Sequence, residues 1–245
     1  MVRRLNVYEA TQKRLQLIFE NFDYVCVSFS GGKDSGVLLN LCVDYIRRNL
    51  PGRRLGVMHM DYEAQYSQTT EYVSQRLSAD RDIIEPYHCC VPFKVPTCTS
   101  MFQSWWRPWE ESKRDIWVRD MPPGCYTASD FSFFNQDLWD YDFHRFFAQW
   151  LRARKQCRRI CFLVGIRTQE SYNRWRAIYS NRNFMHFGSL KWSYRIASGV
   201  YSAYPIFDWK ASDIWAANGR FHWPYNRLYD LYYQAGIPVL SLIHI

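Results

Sequence analysis

Apolar and polar positions along this chain fall into blocks of two periods. YVCVSF (24–29) is a short run rich in β-branched and aromatic side chains, the pattern of a strand buried on both faces. From Asp34 to about Asn49 the apolar positions become 37, 38, 41, 42, 45 and 46, the spacing of one helix face. PGRR then marks a turn, and RLGVMHMD (54–61) predicts a second strand. Thr69 to Ser78 predicts a helix, and DIIEPYHCCV (82–91) a third strand that Pro86 weakens or ends early. A helix from about Asp142 to Arg154 leads to a strand at RICFLVGI (159–166), and a further helix is expected near 168–180. VYSAYPIF (200–207) is the fifth strand candidate; KASDIWAAN (210–218) and NRLYDLYYQAG (226–236) predict short helices. The N-terminal MVRRLNVYEATQKRLQLIFENF reads as an amphipathic helix, since it has neither the apolar core nor the cleavage site of a signal peptide.

Strands alternating with helices predict an α/β fold: a Rossmann-like, doubly wound parallel sheet of about five strands with helices on both faces. Between about 90 and 140 the periodicity fails and tryptophans and prolines crowd together, which suggests an aromatic-rich insertion. Without repeats or low-complexity linkers, a single domain over 1–245 is expected, large enough to bury a substantial core.

Composition refines this picture. Residues 101–150 hold fifteen Phe, Trp or Tyr, most of them expected in packing. The net charge of +8 is uneven: residues 151–200 carry eleven Lys or Arg against Glu170 alone, a local +10 that leaves about −2 elsewhere. Such a segment suits a polyanion, whether nucleotide phosphate, sulfate ester or nucleic acid, although part of it reads as a solvated helical face. No apolar run approaches the ~18 residues of a membrane span. Eight cysteines without a secretory signal read as reduced thiols, so a cytoplasmic protein with no membrane partner is expected.

The chemistry concentrates in SGGKDS (30–35), where the first strand meets its helix. Backbone N–H groups exposed at that junction, backed by the positive end of the helix, bind anions. Gly31 and Gly32 permit close backbone approach, Ser30 and Ser35 add hydroxyls, Lys33 adds a point charge, and Asp34 can cap the helix or help hold a metal. Neither GxxxxGK[ST] nor GxGxxG is present.

SGGKDS resembles the PP-loop of the adenine-nucleotide α-hydrolase superfamily, which includes ATP pyrophosphatases and the phosphoadenosine phosphosulfate (PAPS) reductase family. HMDYEAQYSQTTEYV (59–73), GIRTQESYNR (165–174) and PIFDWKASDIWAAN followed by PYNRLYDLYYQAGIP (224–238) are similar to the reductase motifs in the same order. The aromatic insertion resembles a phage- and plasmid-borne branch, some of whose members are described as co-activators of prophage gene expression. The resemblance implies that Ser30, Gly31, Gly32, Lys33, Asp34 and Ser35 cradle the phosphate or phosphosulfate. It places Asp61 near the ribose, the base or a bound Mg²⁺, and gives Arg167, Ser171 and Arg174 further anion contacts. Glu170 would orient those arginines, and Asn226 and Tyr229 belong to the C-terminal signature.

Reductases of this family attack the sulfonyl sulfur with a cysteine near the C-terminus, resolved by thioredoxin or glutaredoxin. This chain ends GIPVLSLIHI without that cysteine, so the catalytic residue is left unassigned. LSLIHI matches one frame of a transposon sequencing adapter, and the natural protein is expected to continue past Pro238 or Val239. Cys89–Cys90 with Cys157 and Cys161 departs from the spacing of iron–sulfur relatives, so no cluster is expected. His59 and His88 read as packed histidines, and no metal ligands are assigned. Three functions follow: reductive cleavage of a PAPS-like sulfonucleotide to sulfite and adenosine bisphosphate; Mg²⁺-dependent splitting of ATP to adenylate an acceptor, nucleic acid included; or nucleotide sensing by a non-catalytic regulatory partner. In each the first ligand is an adenine nucleotide: PAPS, its non-3′-phosphorylated form (APS), or ATP.

Overall fold

The computed structural model describes residues 5–97, 99, 101–179 and 186–237. Its first half runs α1 (Val7–Asn21), β1 (Tyr24–Ser28), α2 (Lys33–Asn49), β2 (Leu55–Met60), α3 (Ser67–Ser78) and β3 (Ile84–Cys89). A two-stranded ribbon follows, β4 (Val95–Pro96) with β5 (Trp105–Trp106), antiparallel. The chain then makes two 3₁₀ turns and continues as α4 (Asp140–Arg154), β6 (Ile160–Val164), α5 (Tyr172–Tyr179), β7 (Ser193–Ala197), β8 (Val200–Ala203), α6 (Ala211–Phe221) and α7 (Leu228–Gln234). At the start, Asn6 caps α1 reciprocally with Glu9, each side chain accepting the other's backbone N–H.

The fold is α/β and Rossmann-like, built on a sheet ordered β3-β2-β1-β6-β8-β7. Five of the strands are parallel. Besides these five, which were expected, a sixth, β7, pairs antiparallel with β8 through a tight turn at Ser198–Gly199, where Gly199 has φ +71°. It escapes sequence reading because an edge strand needs no continuous apolar run, and SYRIA is half polar.

Pro86 sits inside β3 rather than ending it, opposite Val57 of β2. This is possible because β3 is an edge of the main sheet, where the N–H that proline lacks owes nothing to a neighbouring strand. Past Pro86 that edge is partly covered: Tyr126 donates to the His88 carbonyl at 2.7 Å, and Cys90 donates to Tyr126 at 2.8 Å.

Side-chain alternation divides the core. Val25, Val27, Leu55, Val57, Cys161 and Leu163 face α1, α2, α3 and α6. Tyr24, Cys26, Met58, Ile160 and Phe162 face α4 and the aromatics of the 90–140 segment, among them Phe93, Phe131 and Leu138. The aromatic crowding is thus chiefly packing under one sheet face; Phe131, Phe143, Phe147 and Trp150 meet mostly edge to face. No helix among the described residues is long and apolar enough to cross a membrane.

Strand order reverses between β1 and β6, since α2 carries the chain from β1 to β2 on one side while β6 lies on the other. A crevice opens at the carboxyl ends of strands at such a point.

Candidate functional site

Residues 29–35 leave β1 and enter α2 within that crevice. Gly31 has φ +80°, and a Cβ there would come within 2.8 Å of Val73 Cγ2 and 3.0 Å of Thr69 Cγ2. Only glycine takes both the left-handed backbone and the close approach of α3. Gly32 is the N-cap of α2 and brings no side chain to cap it. Around it the two serines hold the turn: Ser30 and Ser35 hydroxyls lie 3.0 Å apart, Ser35 Oγ donates to the Gly32 carbonyl at 3.1 Å, and Gly32 N–H donates to Ser30 Oγ at 3.3 Å. The amides of Asp34 and Ser35 make no hydrogen bond to any described residue. Uncapped donors at a helix N-terminus form an anion site.

A second loop arrives from β6. Gly165 packs against the first turn of α2 so closely that a Cβ would stand 3.0 Å from Ser35 N. This brings Arg167, 2% exposed, onto Asp34: Nε donates to Oδ1 at 2.6 Å and Nη2 to Oδ2 at 3.4 Å. Arg167 Nη1 is buried with no partner among the described residues, and Arg167 does not itself line the cavity formed here. Glu170 accepts the Arg167 N–H at 3.0 Å and a short hydrogen bond from Arg174 Nη1, so it orients both arginines. Ser171 instead accepts the Arg174 N–H at 3.2 Å at the start of α5. It does not line the cavity, so its placement there is as a helix cap.

The C-terminal signature residues support the loop from behind. Asn226, buried, donates to the Gly31 carbonyl at 3.0 Å and to Thr69 Oγ1 at 2.9 Å, while its own carbonyl takes the Leu228 N–H. Tyr229 Oη accepts the Lys33 N–H at 3.1 Å, and its ring lies 5.4 Å from Lys33 Nζ. Burial pushes the Tyr229 phenol up to about 12.

Together these elements line a cavity of about 300 Å³. Gly32, Lys33, Asp34, Ser35, Glu170 and Arg174 form one end; Met58, Met60, Tyr62, Val164 and Ile166 form a more apolar other end. Among the lining residues that went unpredicted is a histidine. His144 of α4 reaches the apolar end, its Nε2 3.0 Å from Ser28 Oγ, and burial lowers its pKa to about 4. A signal existed: His144 falls beside the Phe143, Phe147 and Leu151 stripe of α4, a polar residue next to an otherwise apolar face.

Asp61 stands apart. It ends β2 but does not line this cavity; it is 1% exposed and accepts from His88 Nε2 at 2.7 Å, from Glu63 N–H at 2.9 Å and, in a short hydrogen bond, from Arg119. Burial disfavours its carboxylate, but the His88 and Arg119 hydrogen bonds outweigh burial and hold its pKa below the usual range. The expected approach to ribose, base or Mg²⁺ is therefore not what its side chain does here. Two side chains it was expected to ignore, His59 and His88, are its neighbours.

The basic segment is divided. Arg174 lines the cavity and Arg167 pairs with Asp34; Lys155 pairs with Glu85, and Arg152 donates to the Arg158 carbonyl. Seven cysteines are described, all free, and burial raises the pKa of each. None lines the cavity. Cys98, and the chain end at 238–245, lie outside the described residues.

Residues 130–235 match the family model of the phosphoadenosine phosphosulfate reductase domain. The match covers 106 of the 245 residues. The match spans β6, the Arg167–Arg174 segment and the Asn226–Tyr229 signature, whereas the 30–35 loop lies before it. Over 238 residues the chain is 36% identical to the Escherichia coli (strain K12) protein YbdN, covering 96% of this chain and 57% of that one. It thus spans little more than half the length of this curated relative. Among solved structures it is similar to the PAPS reductase of Candida auris in its phosphate complex, with TM-score 0.49, 16% identity and 94% and 93% of the two chains covered. It is also similar to yeast FAD synthetase in complex with FAD, with TM-score 0.46, 14% identity and 94% and 65% covered.

Proposed function

We propose that this PAPS reductase-family domain binds an adenine nucleotide with its anionic tail in the 30–35 loop, and that the nucleotide is a sulfonucleotide of the PAPS type, cleaved reductively. One observation carries the reading: the amides of Asp34 and Ser35, two residues that line the cavity, have no partner among the described residues. Unpaired donors at a helix N-terminus call for an acceptor, and a phosphate or sulfate oxygen is a natural one. The apolar end of the cavity is suited to a purine, with Met58 and Met60 as adaptable walls.

Lys33, Arg167 and Arg174 face Asp34 and Glu170, a formal balance of +1 reinforced by the helix terminus. Both carboxylates are engaged by these cations. They are therefore not turned outward for Mg²⁺, which favours the sulfonucleotide over ATP. In the proposed reaction a thiolate attacks the sulfonyl sulfur. The S–O bond breaks and its electron pair leaves on the phosphate of adenosine bisphosphate. A second thiol then displaces sulfite and a disulfide forms, so two thiols supply the two electrons. The loop and arginines stabilise the departing phosphate and fix the sulfur in line. Since burial raises every described thiol and none lines the cavity, the attacking thiol is one outside the described residues, with a thioredoxin- or glutaredoxin-class dithiol as reductant.

Calorimetry with PAPS, adenosine 3′,5′-bisphosphate and Mg²⁺–ATP tests binding, and sulfite or pyrophosphate release tests the reaction. Tight PAPS binding with thioredoxin-dependent sulfite is the expected result. Pyrophosphate release from ATP would replace the proposed reaction with adenylation, binding without turnover would make the domain a sensor, and no nucleotide binding would reject the site.

A further inference from the structure

A second cluster of chemistry-bearing side chains lies on the other side of the sheet from the loop cavity. His59 of β2 pairs in register with His88 of β3, and Asp61 follows β2 by one residue. Alternation sends His59, Asp61 and His88 off the same face, opposite to Met58 and Met60. One ligand atom from each of the three lies within 4.8 Å of the others, the only such group among the described residues. All three line a separate cavity of about 690 Å³, which Arg119 and Pro122–Gly124 help to close.

We propose that His59, Asp61 and His88 bind a divalent transition-metal ion, zinc by the character of its donors, with an open coordination position facing this cavity. Two imidazoles and a carboxylate are a nitrogen–oxygen set that suits zinc, and three protein ligands beside open space leave a fourth position for water or a substrate atom. The cluster is prepared as such sites are. His59 Nδ1 lies 2.8 Å from the Phe29 carbonyl, which can only accept, so Nδ1 carries the proton and Nε2 presents its lone pair. A ligating histidine characteristically donates its other N–H to a backbone carbonyl in this way. Asp61 divides its oxygens: Oδ1 accepts from Arg119 and from Glu63 N–H, while Oδ2 faces His88.

The charge also fits. Arg119 is opposed by Asp61 and donates to the Glu63 backbone carbonyl at 3.0 Å; the buried Glu63 carboxylate, which accepts the Trp109 N–H at 2.8 Å, adds a second negative charge. With neutral histidines the group sums to −1, which a cation relieves. The His88 Nε2 to Asp61 Oδ2 distance of 2.7 Å is that of a shared proton. Replacing the proton with zinc, at bonds of about 2.0–2.2 Å, requires the two atoms to separate by roughly half an ångström. The His88 side chain is 18% exposed at the cavity wall, while Asp61 is fixed from behind, so the imidazole is the part that shifts.

The test is zinc titration of the untagged, chelator-treated chain against a chromophoric competitor. One ion per chain is expected. His88→Gln keeps an N–H for Asp61 but loses the imidazole lone pair, so it should fold normally and weaken zinc binding by about 100-fold or more, at least the loss seen when a supporting group is removed. Cys90→Ser with Cys125→Ser should leave the affinity unchanged. The Co²⁺ spectrum of the unaltered chain is the second measurement: nitrogen and oxygen donors give no sulfur-to-metal charge-transfer band. Absence of binding, binding undiminished in His88→Gln, or such a band would overturn the assignment.

Discussion

Arg167 and Asp34 lie 133 positions apart, yet the guanidinium Nε of one donates to the carboxylate of the other at 2.6 Å in a nearly dry environment. This pair joins the β6–α5 loop to the first turn of α2. It fixes Asp34, and with it the first turn of α2, at the wall of the cavity.

Removing one partner of a buried pair leaves the other uncompensated. Arg167→Ala is expected to destabilise the chain by about 3–5 kcal/mol in urea unfolding and to lose most of its nucleotide affinity. Arg167→Lys should recover part of the stability but little of the affinity, because an ammonium cannot hold Asp34 and the first turn of α2 as a planar fork does.

Gly31 and Gly52 provide an internal control. Both have positive φ, +80° and +85°, but a Cβ at Gly52 meets nothing within 4 Å. Gly52→Ala should cost about 1–2 kcal/mol, the left-handed penalty alone. Gly31→Ala adds the collision with Val73, so it should cost more and also lower nucleotide affinity. Equal losses of stability in the two variants would contradict the packing described.

Tyr229→Phe removes the acceptor of the Lys33 N–H while keeping the ring over its side chain. A loss of about 1 kcal/mol in stability is expected. Calorimetry should show nucleotide binding weakened about fivefold if the same energy is lost from the loop's bound geometry.

His144 predicts a pH dependence. Burial holds its folded pKa near 4, against the ordinary 6.5 of a histidine. As pH falls the unfolded chain takes up this proton first, so the contribution is full above pH 6.5 and declines between 6.5 and 4. The decline amounts to roughly 3 kcal/mol when complete. His144→Gln should flatten that part of the stability–pH profile measured by denaturant titration.

Local signals on this chain were strong where one element sufficed. The run at 24–29, the helical spacing after Asp34 and the cluster of Ser, Gly, Lys and Asp between them specify a strand, a helix and the glycine turn that joins them, because each follows from neighbours in sequence. Lys33, Asp34, Glu170 and Arg174 do line one cavity, while Arg167, from the same motif, pairs with Asp34 without lining it. What only tertiary structure decided was direction and company. Asp61 ends its strand as anticipated, but the pleat sends its carboxylate to the face opposite the loop, beside two histidines that sequence separation made look unrelated. His144 joins the cavity because α4 packs under the same sheet. Sequence determines which residues share an element and a period; which face of the sheet they share, and with whom, depends on strand register and order, and those are set by packing across more than a hundred residues.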